Sequence, residues 1–401
     1  MIYQPPAGAR DVLPLEVAQK RWIEQRLQQT FHRWSYQQII TPTLERLETL
    51  MAGGAIQPET VIQFWDAEEG LLGLRPELTA SIARAAVTRM AGAIYPQRLY
   101  YSANIFRRSP GMELSSQQEF FQTGVELLGG SGLADGEILL LLQDCLHSLG
   151  LPEWHVVLGE AGLTRSLLSN FPLELQPHIR QAIARLDRVA LTELPSDLRQ
   201  PALDLLDLRG EPASVLQRLA QLDLKPEQRQ IVHHLKTLLE LVGDRFPLTL
   251  DLSLIQTFDY YTGIVFDVIA TGEREQRLLG EGGRYDQLLA RYHPGGESLP
   301  GIGFALNLED LHQVLLPTGQ LPQQMPTSQW LIVPVHPEAI AAAFSYAEKL
   351  RGQPESQELR VEMALEWLSP EATREYARCR QITYIAWIEA DGSPQIEAVK
   401  G

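Results

Sequence analysis

The sequence predicts an α+β protein: an antiparallel sheet flanked by helices, carrying a helical insertion and followed by a small α/β domain. Three observations carry that prediction. Two strand-like runs, about 97–106 and 118–128, are joined by a polar loop containing Arg107, Arg108, Pro110 and Gly111, which reads as an antiparallel pair with a long connection. Between about 162 and 242 the composition shifts to Leu, Arg, Gln and Glu at helical spacing, punctuated by Pro172, Pro195 and Pro201. A stretch rich in Pro, Gln, Gly and Thr, 317–327, then precedes a second strand–helix–strand pattern. The predicted organisation is a main domain over 1–316, a linker over 317–327, and a tail domain over 328–401.

The elements follow in order. Gly8-Ala9-Arg10-Asp11-Val12-Leu13-Pro14 is a turn-rich lead-in to a helix in which Ile23, Leu27, Phe31 and Trp34 form one apolar stripe. Ile39 to Glu45 reads as a short strand stopped near Pro42. Arg75-Pro76-Glu77-Leu78-Thr79 opens a helix ahead of the two long strands, and His155 to Leu158 is another β-rich segment. The insertion reads as all-helical, with Ile179, Ile183 and Leu186 on one apolar face. Strands resume at Leu248 to Leu254 and Ile264 to Ile269. Gly280-Glu281-Gly282-Gly283 then reads as a turn before a helix over about 284–292. Residues 300–306 lead from a strand into a helix near 308–315. In the tail, the apolar runs Trp330 to Val335 and Ile382 to Ile388 are strands separated by a helix at about 338–350. At about 70 residues the tail is short for a complete doubly wound unit.

Composition narrows the function. A chain of 401 residues with 44% hydrophobic and 21% charged residues is neither disordered nor fibrous, and is long enough for two or three domains. No apolar run approaches the ~18 residues of a membrane span, and the N-terminus lacks a basic start and an apolar signal core. Cys145 and Cys379 have no His or Cys at metal-ligand spacing and suit a reducing compartment, so a cytoplasmic protein is expected. Fifty acidic against 34 basic residues give a formal charge of −16, which repels a polyanion such as tRNA unless basic residues cluster. The P-loop, HExxH, CxxC and GxSxG patterns are absent. His233-His234 is an adjacent pair that cannot share one helical face, which favours packing over metal binding.

The remaining polar residues lie on or beside predicted strands. On the second long strand Gln122, Gly124 and Glu126 share one face, offering acceptors with room between them. Glu77 precedes a helix, and Tyr260 and Tyr261 add phenols near a strand entrance. Together they describe a carboxylate-and-phenol pocket for an amino acid with an α-ammonium and a second polar group. Taken singly each signal is weak: Glu126 reads more readily as a solvent-facing strand residue, and the tyrosines as core with a satisfied hydroxyl.

In order and together, these segments resemble the class II aminoacyl-tRNA synthetases, specifically histidyl-tRNA synthetase. Gly8 to Pro14 resembles that family's GxxDxLP lead-in, and Ile40-Thr41-Pro42 its motif 1, the dimer interface. Arg75 to Thr79 resembles the RPEGT segment; Phe106-Arg107 through Glu119 to Glu126 resembles motif 2. Asp259-Tyr260-Tyr261-Thr262-Gly263 resembles the DYYTG histidine motif, and Gly282-Gly283-Arg284-Tyr285-Asp286 with Gly303-Phe304-Ala305 resembles the GGRYD box and motif 3. The resemblance implies that Glu77, Thr79 and Gln122 hold the α-ammonium of histidine. It further implies that Glu126 and Tyr261 address the imidazole beside Tyr260, that Tyr285 closes the pocket, and that Arg107 faces the carboxylate, or a phosphate if a nucleotide binds.

The departures from the family pattern point away from catalysis. The synthetase Arg-Gly-Leu-Asp-Tyr-Tyr reads Gln256-Thr257-Phe258-Asp259-Tyr260-Tyr261 here, so an arginine has become Gln256. The motif 3 ending Gly-Leu-Glu-Arg reads Asn307-Leu308-Glu309-Asp310, replacing a phosphate-clamping arginine with a carboxylate. At ~4 Å and an effective dielectric near 20, like charges repel by ~4 kcal/mol. The motif 2 loop is altered as well, reading Arg107-Arg108-Ser109-Pro110. Adenylation depends on such positioned cations. A histidine pocket without them resembles the paralogue family that regulates ATP phosphoribosyltransferase. That resemblance implies a non-catalytic regulatory subunit of the first step of L-histidine biosynthesis and its feedback control. It also implies a short-form catalytic partner in a hetero-octamer, self-dimerisation through motif 1, and no tRNA, membrane, metal or cofactor. A divergent histidyl-tRNA synthetase is the alternative reading.

Overall fold

The computed structural model describes all residues except 1, 2, 4, 7, 55, 109–117, 255–259, 272–275, 353–358, 400 and 401. The chain divides into two compact units, Met1–Pro322 and Gln323–Gly401.

The strands of the first unit are β1 (Gln37–Gln38), β2 (Leu44–Arg46), β3 (Gln63–Asp66), β4 (Gly70–Leu74), β5 (Gln97–Phe106), β6 (Glu119–Leu128), β7 (Trp154–Glu160), β8 (Arg209–Gly210), β9 (Leu248–Asp251), β10 (Ile264–Thr271), β11 (Gln276–Arg284) and β12 (Gly301–Asn307). Among the described residues nine of them form one sheet, ordered β1-β5-β6-β12-β11-β10-β7-β9-β8. Its centre is antiparallel. The pair β5–β6 runs from Gln97 opposite Leu128 to Phe106 opposite Glu119, and β6–β12 from Leu128 opposite Gly301 to Gln122 opposite Asn307. Both long strands are buried on their two faces, with Tyr100 and Val125 in one core and Leu99, Tyr101 and Leu128 in another.

Helix α1 (Pro14–Arg33) buries Ile23, Leu27 and Phe31 completely, each burial contributing roughly 1.5–3 kcal/mol. The next helices are α2 (Leu47–Met51), α3 (Thr79–Thr88) and α4 (Leu133–Leu149). Helices α1 and α4 pack with one set of sheet residues, including Tyr100, Val125 and Ile302. Helix α3 packs with another set, including Leu99, Tyr101 and Val265, together with Leu288 and Leu289 of a later helix. From 161 to 242 come α5 (Ala161–Leu168), α6 (Gln176–Ala184), α7 (Arg188–Thr192), α8 (Ser196–Leu206), α9 (Pro212–Leu219) and α10 (Pro226–Val242). They are followed by α11 (Leu288–Tyr292) and α12 (Leu308–Leu315).

Three sequence expectations need correction here. Ile39 to Glu45 is not one strand: residues 39–43 lie outside any strand, between β1, which pairs in parallel with β5, and β2, which starts at Leu44 and joins a separate three-stranded sheet, β2-β4-β3. Pro42 brings no N–H to a ladder, and the Arg75 guanidinium takes the Thr41 and Pro42 carbonyls at 2.8 and 3.2 Å instead. The insertion is not purely helical, because β8 pairs with Leu250 and Asp251 of β9. Gly280 to Gly283 is a strand interior rather than a turn. A Cβ on Gly280 would lie 2.2 Å from the Ala305 carbonyl oxygen, so glycine marks close backbone approach.

In the second unit, strands β13 (Trp330–Pro334), β14 (Val361–Met363), β15 (Tyr384–Ile388) and β16 (Pro394–Ala398) alternate with α13 (Ile340–Arg351) and α14 (Pro370–Cys379). The order is β14-β13-β15-β16, with β13 parallel to both β14 and β15. Helix α13 packs with Ile332, Ala386 and Ile388, and α14 with Leu331, Val333 and Ile385, so the two helices cover opposite faces. Strands β14 and β16 were not predicted; one spans three residues and the other is mostly exposed, so neither carries an apolar run. Among the described residues no helix is long and apolar enough to cross a membrane.

Candidate ligand pocket

The centre of the large sheet carries a polar pocket. On β6 the pleat puts Gln122 and Glu126 on the same face, 8% and 2% exposed. Gly124 lies between them because nothing larger fits: a Cβ there would sit 2.2 Å from the Phe304 carbonyl and 2.7 Å from the Tyr101 phenol oxygen. The start of α3 supplies Glu77 and Thr79. The Glu77 carboxylate accepts from the Thr79 and Ala80 backbone N–H groups at 2.5 and 2.9 Å, satisfying the helix start and meeting its positive end. Thr79 Oγ1 donates to Glu126 Oε1 at 2.7 Å, and the Tyr285 phenol donates to Glu126 Oε2. Tyr260 lies 4.8 Å from Tyr261 and edge-on to Tyr285 at 5.8 Å, centroid to centroid. Arg107 Nε donates to the Pro76 carbonyl at 2.7 Å.

All eight residues named from the sequence (Glu77, Thr79, Arg107, Gln122, Glu126, Tyr260, Tyr261 and Tyr285) line this one cavity of ≈ 30 Å³. Tyr101 and Glu281 line it too, and the sequence reading missed both. Glu281 was hidden by the turn reading of its glycine-rich neighbours. Tyr101 had no signal beyond the alternation of β5.

The electrostatics favour a cation. Burial pushes the Glu126 carboxyl up to about 8; hydrogen bonds from Tyr285 and Thr79 pull the other way, and nearby Glu77 adds to the rise. Burial also raises Glu77, against the pull of the Ala80 and Thr79 donors and of Arg107. The Tyr285 and Tyr260 phenols stay neutral, held well above their ordinary value by burial. Among the described residues the lining thus holds three carboxyl groups, Glu77, Glu126 and Glu281, and one cation, Arg107, and a positive ligand would draw the raised acids into their charged form. Such a site gains most from a ligand that brings an ammonium or another positive group.

The full length of the chain aligns with the full length of an ATP phosphoribosyltransferase regulatory subunit from Nostoc punctiforme at 60% identity. A protein of the same name from Trichormus variabilis is 58% identical, again over the whole of both chains. The chain belongs to the family of ATP phosphoribosyltransferase regulatory subunits. The model of the family described as histidyl-tRNA synthetase matches residues 8–311, so the same chain is built on that synthetase framework. A solved structure from Bacillus halodurans, described as an ATP phosphoribosyltransferase regulatory subunit/histidyl-tRNA synthetase, superposes with a TM-score of 0.80. It covers 97% of this chain and 99% of its own at 25% identity.

In this regulatory-subunit chain an ion-paired cluster braces the pocket. Arg284, immediately before Tyr285, donates to Asp135 of α4 through Nε at 2.7 Å and meets it again at 2.6 Å through Nη2. It also reaches Asp286 at 3.0 Å and the Ser131 carbonyl at 3.1 Å. Asp135 is 1% exposed and has a further partner in His234 Nε2 at 2.8 Å. His234 thus serves in a side-chain network, and the described residues contain no group of three or more His, Cys, Asp or Glu able to hold a metal. Of the two positions singled out for lost arginines, Gln256 lies outside the described residues. Asp310 is not a bare charge: Arg277 of β11 pairs with it at 2.9 Å, although burial still raises its carboxyl overall. Neither Asp310 nor Arg277 lines the cavity.

Proposed function

We propose that this chain is the histidine-sensing, non-catalytic regulatory subunit of a short-form ATP phosphoribosyltransferase, acting in the first step of L-histidine biosynthesis and its feedback control. The observation that carries the histidine reading is the buried pair Glu77 and Glu126, set among phenols and facing one cation, Arg107, among the described lining residues. The α-ammonium meets Glu77, Thr79 and Gln122. The imidazole meets Glu126 and Tyr261 beside Tyr260, Tyr285 closes the pocket, and Arg107 takes the carboxylate.

A cavity of ≈ 30 Å³ has room for about two waters, less than an amino acid needs. Both Glu126 oxygens already accept bonds, from Thr79 and Tyr285. Histidine therefore enters only as these side chains move, and that movement is what couples the pocket to a partner. Ligand binding favours the open arrangement, and the catalytic subunit reads which arrangement is populated.

The same proposal includes self-association through the motif 1 segment, where Ile40 is 84% exposed, and assembly with the catalytic subunit as a hetero-octamer. It assigns no adenylation chemistry and no tRNA. Gln256 and Asp310 replace two cations that phosphoryl chemistry uses, and the chain is acidic, at −16. The test is to mix the chain with a short-form ATP phosphoribosyltransferase catalytic subunit. The pair should co-purify, and histidine should lower the activity of the mixture. Histidine-dependent ATP–pyrophosphate exchange by the chain alone would instead identify a synthetase.

A further inference from the structure

The second unit carries an apolar crevice whose position follows from its topology. From β13 the chain runs through α13 to β14 on one side, then through α14 to β15 on the other side. The connection reverses direction at β13, with the helices on opposite faces. In open sheets of this kind the crevice outside the carboxyl ends of the parallel strands, at the point of reversal, is where ligands bind. Here that end is formed by Pro334 at the end of β13 and Val335 after it, Met363 at the end of β14 and Ala364 after it, and Trp387 near the end of β15. They line a cavity of ≈ 310 Å³, the size of a binding site rather than a packing defect.

The walls are unusual for exposed surface. Leu365 is 89% exposed, Trp367 60% and Phe344 54%, and all three line the cavity. Isolated exposed apolar residues are ordinary, but a concave group containing tryptophan and phenylalanine marks a recognition surface. The charge pattern then selects the occupant. Among the described residues the lining contains no Lys, Arg or His, and its one charged member is Glu366. Glu338, two residues before Ile340 of the lining, and Glu371, next to Pro370 of the lining, are also exposed. An aromatic surface meant for single-stranded nucleic acid interleaves its rings with free cations; here Arg374, over the Trp387 ring, is paired with Glu397 at 2.6 Å, and beside exposed His336 the edge carries the carboxylates Glu338, Glu366 and Glu371.

We propose that this crevice docks a segment of another protein whose aliphatic or aromatic side chains fill the Phe344–Leu365–Trp367 surface, with flanking lysines or arginines meeting Glu338, Glu366 and Glu371. The tail unit is then a protein-docking module, whatever the ligand of the first unit.

The experiment uses the full-length chain and fluorescence anisotropy. The probe is a short labelled peptide with a Leu-Phe-Trp core and lysines at both ends. A glutamate-ended peptide of the same core and a single-stranded RNA serve as comparisons. The lysine-ended peptide should bind roughly tenfold or more tightly than the glutamate-ended one. Replacing both Phe344→Ala and Trp367→Ala should weaken it by roughly tenfold, with the circular dichroism spectrum unchanged. The exposed substitution Glu366→Lys, which leaves the apolar walls intact, should narrow the preference between the two peptides. Equal binding of both peptides, no binding of either, or preferential binding of the RNA would each overturn the proposal.

Discussion

Ionising Glu126 in the folded chain should cost several kcal/mol, and a single substitution exposes that cost. The side chain is 2% exposed, and burial lifts its carboxyl from an ordinary 4.5 to about 8. The folded state therefore holds the proton more tightly than the unfolded chain. The resulting stability is fully present below about pH 4.5 and is lost as the pH rises through about 8. Each unit of difference corresponds to ~1.4 kcal/mol, so the whole window is worth about 5 kcal/mol. Between about pH 5.5 and 7.5 this one group should remove ~2.7 kcal/mol. Glu126→Gln keeps the size of the side chain and an acceptor for Tyr285 or Thr79, but cannot ionise. The assay is urea unfolding of both proteins across that range, read as the difference between them. The raised acids Glu77 and Glu160, the latter at about 7, are common to both proteins and largely cancel. The difference should move by ~2.7 kcal/mol in favour of the variant as the pH rises. Parallel profiles would show that Glu126 is solvated or already compensated, and the argument from burial would fail.

Other substitutions probe the same site and its support. Glu126→Ala and Tyr261→Phe should each weaken histidine binding by roughly 1–3 kcal/mol in calorimetry, the cost of unpairing a buried polar partner. Unchanged affinity in both would place the ligand elsewhere. Gly303→Ala puts a Cβ 2.2 Å from Glu126 Oε2 and 2.3 Å from the Val125 carbonyl, so it should abolish ligand binding and destabilise by roughly 1–3 kcal/mol on urea unfolding. A variant as stable as the parent would mean that β6 and β12 are not held this close. Arg284→Ala strands Asp135, 1% exposed, with only His234 beside it, and should cost roughly 3–5 kcal/mol. A thermal midpoint unchanged from the parent would show that water reaches Asp135.

Much of the pocket was legible because its signals are local. Alternation along β6 puts Gln122 and Glu126 on one face whatever else the chain does. The same logic failed at Gly280 to Gly283, where glycine has two meanings. In a turn it supplies backbone freedom; in β11 it supplies the absence of a side chain, and only the neighbouring strand β12 distinguishes them. Asp310 shows a related limit of local signals. Its replacement of an arginine is visible in the chain, but its ion pair with Arg277, on another element, is not.

The sequence by itself determined the order of elements, the antiparallel pairing of the two long strands, the acidic balance and the family to which the chain belongs. These depend on residue types and short spacings, which survive without coordinates. Only the tertiary structure decided that Glu77 caps a helix while facing the cavity, that Tyr285 and Thr79 occupy Glu126, and that Arg284 is tied to Asp135, 149 positions away. The physical reason is range. A side chain's charge state and its available lone pairs are set by groups within a few ångströms, and here those groups arrive from distant parts of the chain.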